Sequence, residues 1–440
     1  MPTWMERLLI IKRDTAMNHQ LIKQGLLNRG AKIQGKEGII HTIKKLGYLQ
    51  IDTISVVERT HHITLWNRVL NYQKQHLWDL LNKEKRLFEW WAHGASFIPI
   101  ENYRYWLPAM LNLEEQIKNP QQFADMRSWE TYGARWMLKH PKVVKDVLRE
   151  IKKRGPLSSK DFKSPQARKR EGWWDWKPAK MALEILFNAG ILMVSYREGF
   201  QRFYDLTERV LPANVDTTLP TEEERARFLL LLVVNALGIG KNKHFKDYLS
   251  FRSYGLNLPK LRDREERQKL IDRMIEEGDI LQIAIENDKS QYYITKSDLK
   301  AIKKLGNNPP KDNHVNLLSP FDNLIIDRDR TLDMFNFNYT LEAYYPQAKR
   351  RYGYYVMPIL FGNEFVGRLD PKFDRKNRIL IIQSIYLEKK FQPSETFLLS
   401  LSDTLTSFAE FNGGSNIRIN QTYPRKLKTS IQKLLRHKTK

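Results

Sequence analysis

A mainly helical chain with added β-structure is the fold class this sequence predicts: tandem helix-turn-helix units closed by two-stranded wings, then a C-terminal β-rich domain. Three observations predict it. Apolar residues recur at helical spacing before residue 306. The order helix, turn, helix, hairpin occurs twice. Beyond Gly306-Asn307-Asn308-Pro309-Pro310 the pattern turns to strands separated by turn residues.

The elements follow in order. Residues 14–31 read as a helix, with Asp14 at its N-cap, Met17, Leu21, Ile22 and Leu26 on one face, and Gly30 as its stop. A second helix runs from Lys36 to Leu46 and ends at Gly47, after which Tyr48 to Asp52 reads as extended. A longer helix is expected over Thr53 to Val69, where Ser55 and Glu58 have capping-box spacing. Aromatic-rich helices continue through Trp78, Trp90, Trp91 and Trp106.

From Val143 a new unit begins: an amphipathic helix to Lys153, a turn into a short helix over Gly155 to Phe162, and a helix over Lys177 to Ala189. Strands at Ile191 to Tyr196 and Phe200 to Leu206 follow. That is the winged-helix order. It recurs as helices at Thr221–Leu237, Asn242–Tyr248 and Asp263–Glu277, then a hairpin around Asn287-Asp288. Pro212 to Pro220 is the expected linker. The expected domains are 1–140, helical or winged-helix and carrying Gln50-Ile51-Asp52; 141–215 and 216–305, the second and third winged helices; and 306–440, β-rich. In the last, Tyr352–Leu360, Phe365–Leu369 and Ile379–Tyr386 read as strands. The tail from Arg418 to Lys440 holds eight Lys or Arg and no acid, as a phosphate-binding arm or a frayed end.

Charge narrows the partners. The 440 residues carry 74 Lys plus Arg against 50 acids, a net +24 that attracts polyanions, nucleic acid first. The absence of cysteine excludes disulfides, thiolate nucleophiles and Cys-ligated zinc. No apolar run approaches the ~20 residues of a membrane span. The first residues lack the charge and apolar pattern of a secretory signal, so a cytoplasmic, nucleoid-associated protein is expected.

Individual residues have competing readings. Gln50 and Asp52 lie two apart in an extended segment, so their side chains point to one side while Ile51 turns to the core. Asp52 also sits where a helix N-cap would stand. Adjacent His61 and His62 do not share a helix face, so they offer a DNA or pocket contact, or packing, rather than a metal site. Lys349-Arg350-Arg351 with Arg328, Arg330 and Arg368 suits phosphate binding, or salt bridges to Asp327, Asp329 and Asp370. Arg168-Lys169-Arg170 suits a loop contact to phosphate. Trp173, Trp174 and Trp176 suit base stacking or a core.

Several stretches, spread over most of the chain, resemble the winged-helix DNA glycosylases of the AlkZ and YcaQ type. They are Leu49 to His62, Trp90 to Ser96, Leu318 to Leu324, Tyr339 to Pro346 and Lys349 to Tyr355. That family's signature is Gln, an apolar residue, then Gln or Asp. Gln50-Ile51-Asp52 is the version ending in Asp, as in the YcaQ-like branch.

The resemblance implies a monofunctional, cofactor-free enzyme that removes N7-alkylated purines from double-stranded DNA and unhooks interstrand crosslinks. It implies a monomer, with Gln50 and Asp52 catalytic. It also implies an open site and a β-hairpin that probes the minor groove, for which Phe361-Gly362-Asn363-Glu364 is the candidate tip. The rival readings are a non-catalytic winged-helix regulator and a ribosome-associated RNA binder.

Overall fold

The computed structural model describes residues 8–27, 33–123, 131–162, 178–249, 256, 258–307, 310 and 312–438. Gly30, Arg168-Lys169-Arg170, Trp173, Trp174, Trp176 and part of the 306–310 boundary lie outside the described residues. The chain divides into two compact units. One comprises Met1–Tyr72, Leu231–Tyr248 and Arg267–Lys440; the other comprises Gln73–Leu230 and Leu249–Glu266. The expected division at 140, 215 and 305 therefore follows chain order rather than packing. For example, strand Leu9–Ile11 pairs in parallel with Ile283–Ile285, far along the sequence.

In the first unit the opening helix is shorter than expected, Arg13–Lys23. It ends at Gly25 rather than Gly30 because Gly25 takes φ +71° and the N–H groups of Gly25 and Leu26 return to the carbonyls of Ile22 and Leu21. This is the left-handed cap that glycine favours. Helix Gly35–Leu46 ends at Gly47 as expected.

The C-terminal part is built on a five-stranded sheet in the order Asn416–Tyr423, Ile379–Leu387, Glu364–Asp374, Met357–Phe361, Val315–Leu317. The first pair is parallel and the others antiparallel. A parallel pair needs a crossover, and helix Glu395–Phe411 supplies it, capped by Ser394 accepting the Phe397 N–H at 3.2 Å. Leu401, Leu405 and Phe408 of that helix enter the sheet core. The basic tail is neither a free arm nor frayed over its described length. It forms the edge strand and then helix Lys426–Lys438, with Leu427 and Ile431 buried in the same core.

A buried ion pair ties the early helix to this C-terminal part. Arg68 donates from both terminal nitrogens to Asp322, each at 2.7 Å, and from Nε to the Gln24 carbonyl at 2.7 Å. Both charged side chains are essentially without solvent exposure.

In the second unit, Leu87–Trp91 and Ala95–Pro99 form a hairpin. Trp90 and Trp91 are therefore in a strand, not the helix expected of them. Five bulky residues in a row (Leu-Phe-Glu-Trp-Trp) favour the pleated surface over a helix. Glu89 of this hairpin is buried. Burial alone would raise its pKa, but Arg197 and Arg202 outweigh that and hold it below the usual carboxylate range. Helices Pro141–Arg154 and Pro178–Asn188 precede the hairpin Leu192–Glu198/Gln201–Leu206, the helix, helix, hairpin order read from the sequence. Residues 155–162 form turns and a bridge rather than the short helix expected there. Among the described residues, no helix is long and apolar enough to cross a membrane.

Removing one partner of the Arg68–Asp322 pair strands a buried charge. Asp322→Ala should cost about 3–5 kcal/mol in urea unfolding, and the double variant Arg68→Met/Asp322→Leu much less. Equal losses in the single and double variants would show that packing, not charge pairing, holds this junction.

Candidate active site

The segment that carries Gln50 and Asp52 is shaped by what surrounds it. Tyr48, Leu49 and Gln50 leave the Gly47 turn in extended conformation, with the Tyr48 carbonyl accepting a hydrogen bond from Asn323 Nδ2 at 3.3 Å. Gln50 is 9% exposed, and its buried Oε1 accepts no hydrogen bond from any described residue. A buried acceptor without a protein partner is costly, which leaves Gln50 Oε1 open to a water or a ligand. Ile51 is buried.

The chain then fails to become the helix expected from Thr53. Asp52 Oδ1 accepts the N–H of Ile54 at 2.7 Å, a turn rather than a helix cap. Arg59 Nη1 spans the bulge to the carbonyls of Asp52 at 3.4 Å and Thr53 at 2.9 Å. The helix begins only at Thr60, with Arg59 at the N-cap position. Helix capping is thus not the work of Asp52, and Glu58 closes no capping box, since its Oε1 accepts the N–H of Arg59.

The C-terminal sheet explains the lost helix. The N–H of Phe373 donates to the Val56 carbonyl at 3.2 Å. Arg375 Nη2 donates to the Ser55 carbonyl, the Ser55 hydroxyl and the Val57 carbonyl at 3.0–3.1 Å. Val57 and Ile63 enter the sheet core, and the Thr60, Ser319 and Tyr355 hydroxyls form a buried chain with spacings of 2.6 and 3.0 Å. The sheet thereby satisfies backbone groups that a helix would otherwise use.

The turn after Asp374 stands at this place. Arg375, Lys376, Asn377 and Arg378 are exposed, held by Asp374, which accepts the N–H groups of Lys376 and Asn377 at 3.1 Å. The candidate tip at Phe361–Glu364 is instead a tight two-residue turn seated on other backbone. The N–H of Gly362 donates to His314 at 3.2 Å, and a Cβ there would meet the Asp312 carbonyl at 2.8 Å.

Asp52 is half-buried, and that burial raises its pKa above the usual carboxylate value, against the lowering pull of the Ile54 N–H and Arg59. Its charge is felt by two tyrosines. The Tyr344 hydroxyl is raised first by partial desolvation, then by Asp52 and Tyr354. The Tyr355 hydroxyl is raised chiefly by burial, with Tyr339, Asp52 and Glu58 adding to it.

A family model described as DNA glycosylase AlkZ-like matches residues 43–411, more than half of the chain and all of this site. The protein belongs to the AlkZ-like DNA glycosylases. Its class of activity is that of a DNA glycosylase and its substrate is DNA. The fold is similar to that of Streptomyces sahachiroi DNA glycosylase AlkZ, with a TM-score of 0.60 over 93% of this chain and 99% of that one, at 13% sequence identity. At that identity the likeness concerns the fold.

Within this AlkZ-like chain, the basic residues singled out in the sequence divide sharply. Lys349 and Arg351 are exposed, and Arg350 is partly so. Arg330 is 1% exposed and donates to the carbonyls of Asn323 and Leu324, both at 2.7 Å. Arg328 is held by the carbonyls of Ile325 and Pro320 and lies over Tyr339. Arg368 is sandwiched between Phe337 and Tyr352 and paired with Glu388 at 2.7 Å. His61 and His62 are buried, and His62 Nδ1 meets the Tyr72 hydroxyl at 2.7 Å. These five residues are engaged by protein groups, in keeping with the packing and pairing alternatives that the sequence also offered for them.

Sequence reasoning missed Arg375, Lys376 and Arg378, which looked like any polar turn, and the exposed tyrosines, whose density in Tyr339–Tyr355 was the available signal.

The raised pKa has a sign in stability. Native protein binds the Asp52 proton more tightly than unfolded chain, so stability falls as pH rises from the unfolded carboxylate value through the folded one, and stays lower above it. Asp52→Asn, which keeps an acceptor for Ile54, should therefore melt higher than wild type at pH 7, with the gap closing below pH ~4. A gap that is constant with pH, measured by thermal denaturation across a pH series, would refute the assignment.

Proposed function

We propose that the protein hydrolyses the N-glycosidic bond of N7-alkylated purines in double-stranded DNA, interstrand crosslinks included, with Asp52 and Gln50 as the catalytic pair. The observation that carries this is a half-buried carboxylate that caps no helix, two residues from a buried carboxamide whose Oε1 accepts nothing from the described residues. One Asp52 oxygen holds the Ile54 N–H, while Gln50 Oε1 accepts nothing from the described residues.

The chemistry fits these groups. An N7-alkylpurine carries a positive charge and leaves without a general acid. As the C1′–N9 bond breaks, its electron pair passes to N9 and neutralises the purine. The sugar becomes electron-poor, and the Asp52 carboxylate opposes that charge. Water adds its oxygen to C1′ and yields its proton to Asp52, while Gln50 orients the water or the sugar-phosphate. The products are free alkylpurine and an abasic sugar. No amine nucleophile takes part, so the enzyme is monofunctional.

The helix, helix, hairpin segments are read as winged helices. The exposed tip Arg375 to Arg378 replaces Phe361–Glu364 as the groove-probing hairpin, with Lys349, Arg350 and Arg351 on phosphate. A monomeric, cytoplasmic, nucleoid-bound enzyme fits this reading. Base flipping is common to many glycosylases, but a crosslinked base cannot swing freely, so the lesion is read within the duplex.

Duplex DNA containing N7-methylguanine should lose that base and gain an abasic site with wild type. Asp52→Ala should slow single-turnover release about 10²–10⁴-fold, and Gln50→Ala should also slow it. No release by wild type would overturn the reading, and undiminished release by Asp52→Ala would remove Asp52 from it. Lys376→Ala should lower the slope of log affinity against log salt by about 1 if that side chain meets a phosphate. An unchanged slope would take Lys376 off the DNA.

A further inference from the structure

Three tyrosines of the loop that reaches the site segment through the Tyr355, Ser319 and Thr60 hydroxyls stand in solvent: Tyr344 is 73% exposed, Tyr345 45% and Tyr354 39%. Their backbone is nonetheless held firmly from beneath by two carboxylates. Glu342 Oε2 accepts the N–H groups of Tyr352 at 2.8 Å and Gly353 at 3.2 Å. Asp370 accepts those of Tyr354 at 3.3 Å and Tyr355 at 3.1 Å. Gly353 is required for this clamp, since its φ is +144° and a Cβ would come within 2.1 Å of Asp370. Arg350 Nε fixes the Tyr345 carbonyl at 2.9 Å, and its guanidinium lies 4.8 Å over the Tyr354 ring.

The loop thus already binds one cation on an aromatic face, and presents a second, more open face at Tyr344. The Tyr344 hydroxyl end is close enough to Asp52 to feel its charge. Aromatic faces attract cations through their quadrupole, more strongly as water is displaced.

We propose that Tyr344 is the lesion-recognition residue, whose ring stacks on the positively charged N7-alkylpurine and selects it over a neutral base. Asp52 and Tyr344 then share the lesion: the carboxylate opposes charge developing on the sugar, and the ring holds the charge resident on the base. Before cleavage the base is cationic and the ring favours it. After cleavage the alkylpurine is neutral, so the same ring releases product. This inference rests on the proposed reaction for its substrate.

The test measures binding and chemistry separately. Affinity is measured for a duplex carrying 2′-fluoro-N7-methylguanosine, which resists cleavage, and for the same duplex with ordinary guanosine. Wild type should prefer the methylated duplex. Tyr344→Ala should lose about 3- to 30-fold of that preference with little change on ordinary DNA, and Tyr344→Phe should keep it. Preference unaltered in Tyr344→Ala, or lost equally in Tyr344→Phe, overturns the role of the ring. Base release by wild type on cleavable N7-methylguanine DNA is scored independently. Release with an unaltered Tyr344→Ala preference refutes only this inference. A Tyr344-dependent preference without release upholds it and refutes only the proposed hydrolysis.

Discussion

Arg68 and Asp322 meet through two hydrogen bonds of 2.7 Å where solvent reaches neither. Two charges in that setting are tolerable only together, because separating them would leave each desolvated and unpaired. The pair therefore acts as a constraint on distant segments: helix Thr60–Arg68 cannot leave the 318–324 loop, and through Arg68 Nε neither can the end of helix Arg13–Lys23. Asn67 adds a bond to the Leu317 carbonyl at 2.8 Å, and Asn323 reaches back to Tyr48. Both ends of the Gln50–Arg59 segment are thus located by residues 250 or more positions away.

With its ends fixed, the segment is unwound by competition for its backbone. Residues 53–59 have helical spacing, but Ser55, Val56 and Val57 give their carbonyls to Arg375 and Phe373, and Thr53 gives its own to Arg59. The sheet can accept this cost because Val57 and Ile63 bury apolar surface in its core in exchange. The consequence for function is direct. A helix from Thr53 would spend the Asp52 side chain on capping, whereas the bulge leaves one Asp52 oxygen outside the Ile54 turn, in a partly desolvated setting.

The legibility of the molecule follows the range of the forces involved. Helix Gly35–Leu46 and its Gly47 stop, the hairpin at Asn287, and the principal C-terminal strands were readable, since periodicity and turn chemistry are local. The basic tail was misread because a distant strand pairs with it, making it an edge strand and helix, whereas Trp90 and Trp91 were misread within a local hairpin of bulky residues. The arginine cluster looked like one phosphate patch, yet Arg328, Arg330 and Arg368 are consumed by carbonyls, rings and Glu388. Charge is visible in sequence; its prior engagement is not.

By itself, the sequence determined the alternation of helices and hairpins, the strongly positive charge, and the spacing of Gln50, Ile51 and Asp52, because each depends on neighbouring residues or on composition alone. Tertiary structure alone decided that Asp52 stands in a bulge instead of a cap, that Gln50 is buried with an unused acceptor, that Tyr344 stands open to solvent, and that Arg375 meets Ser55 and Val57. The reason is that burial and backbone partnering depend on which segments meet, and here the meeting is imposed by a buried charge pair between residues 68 and 322.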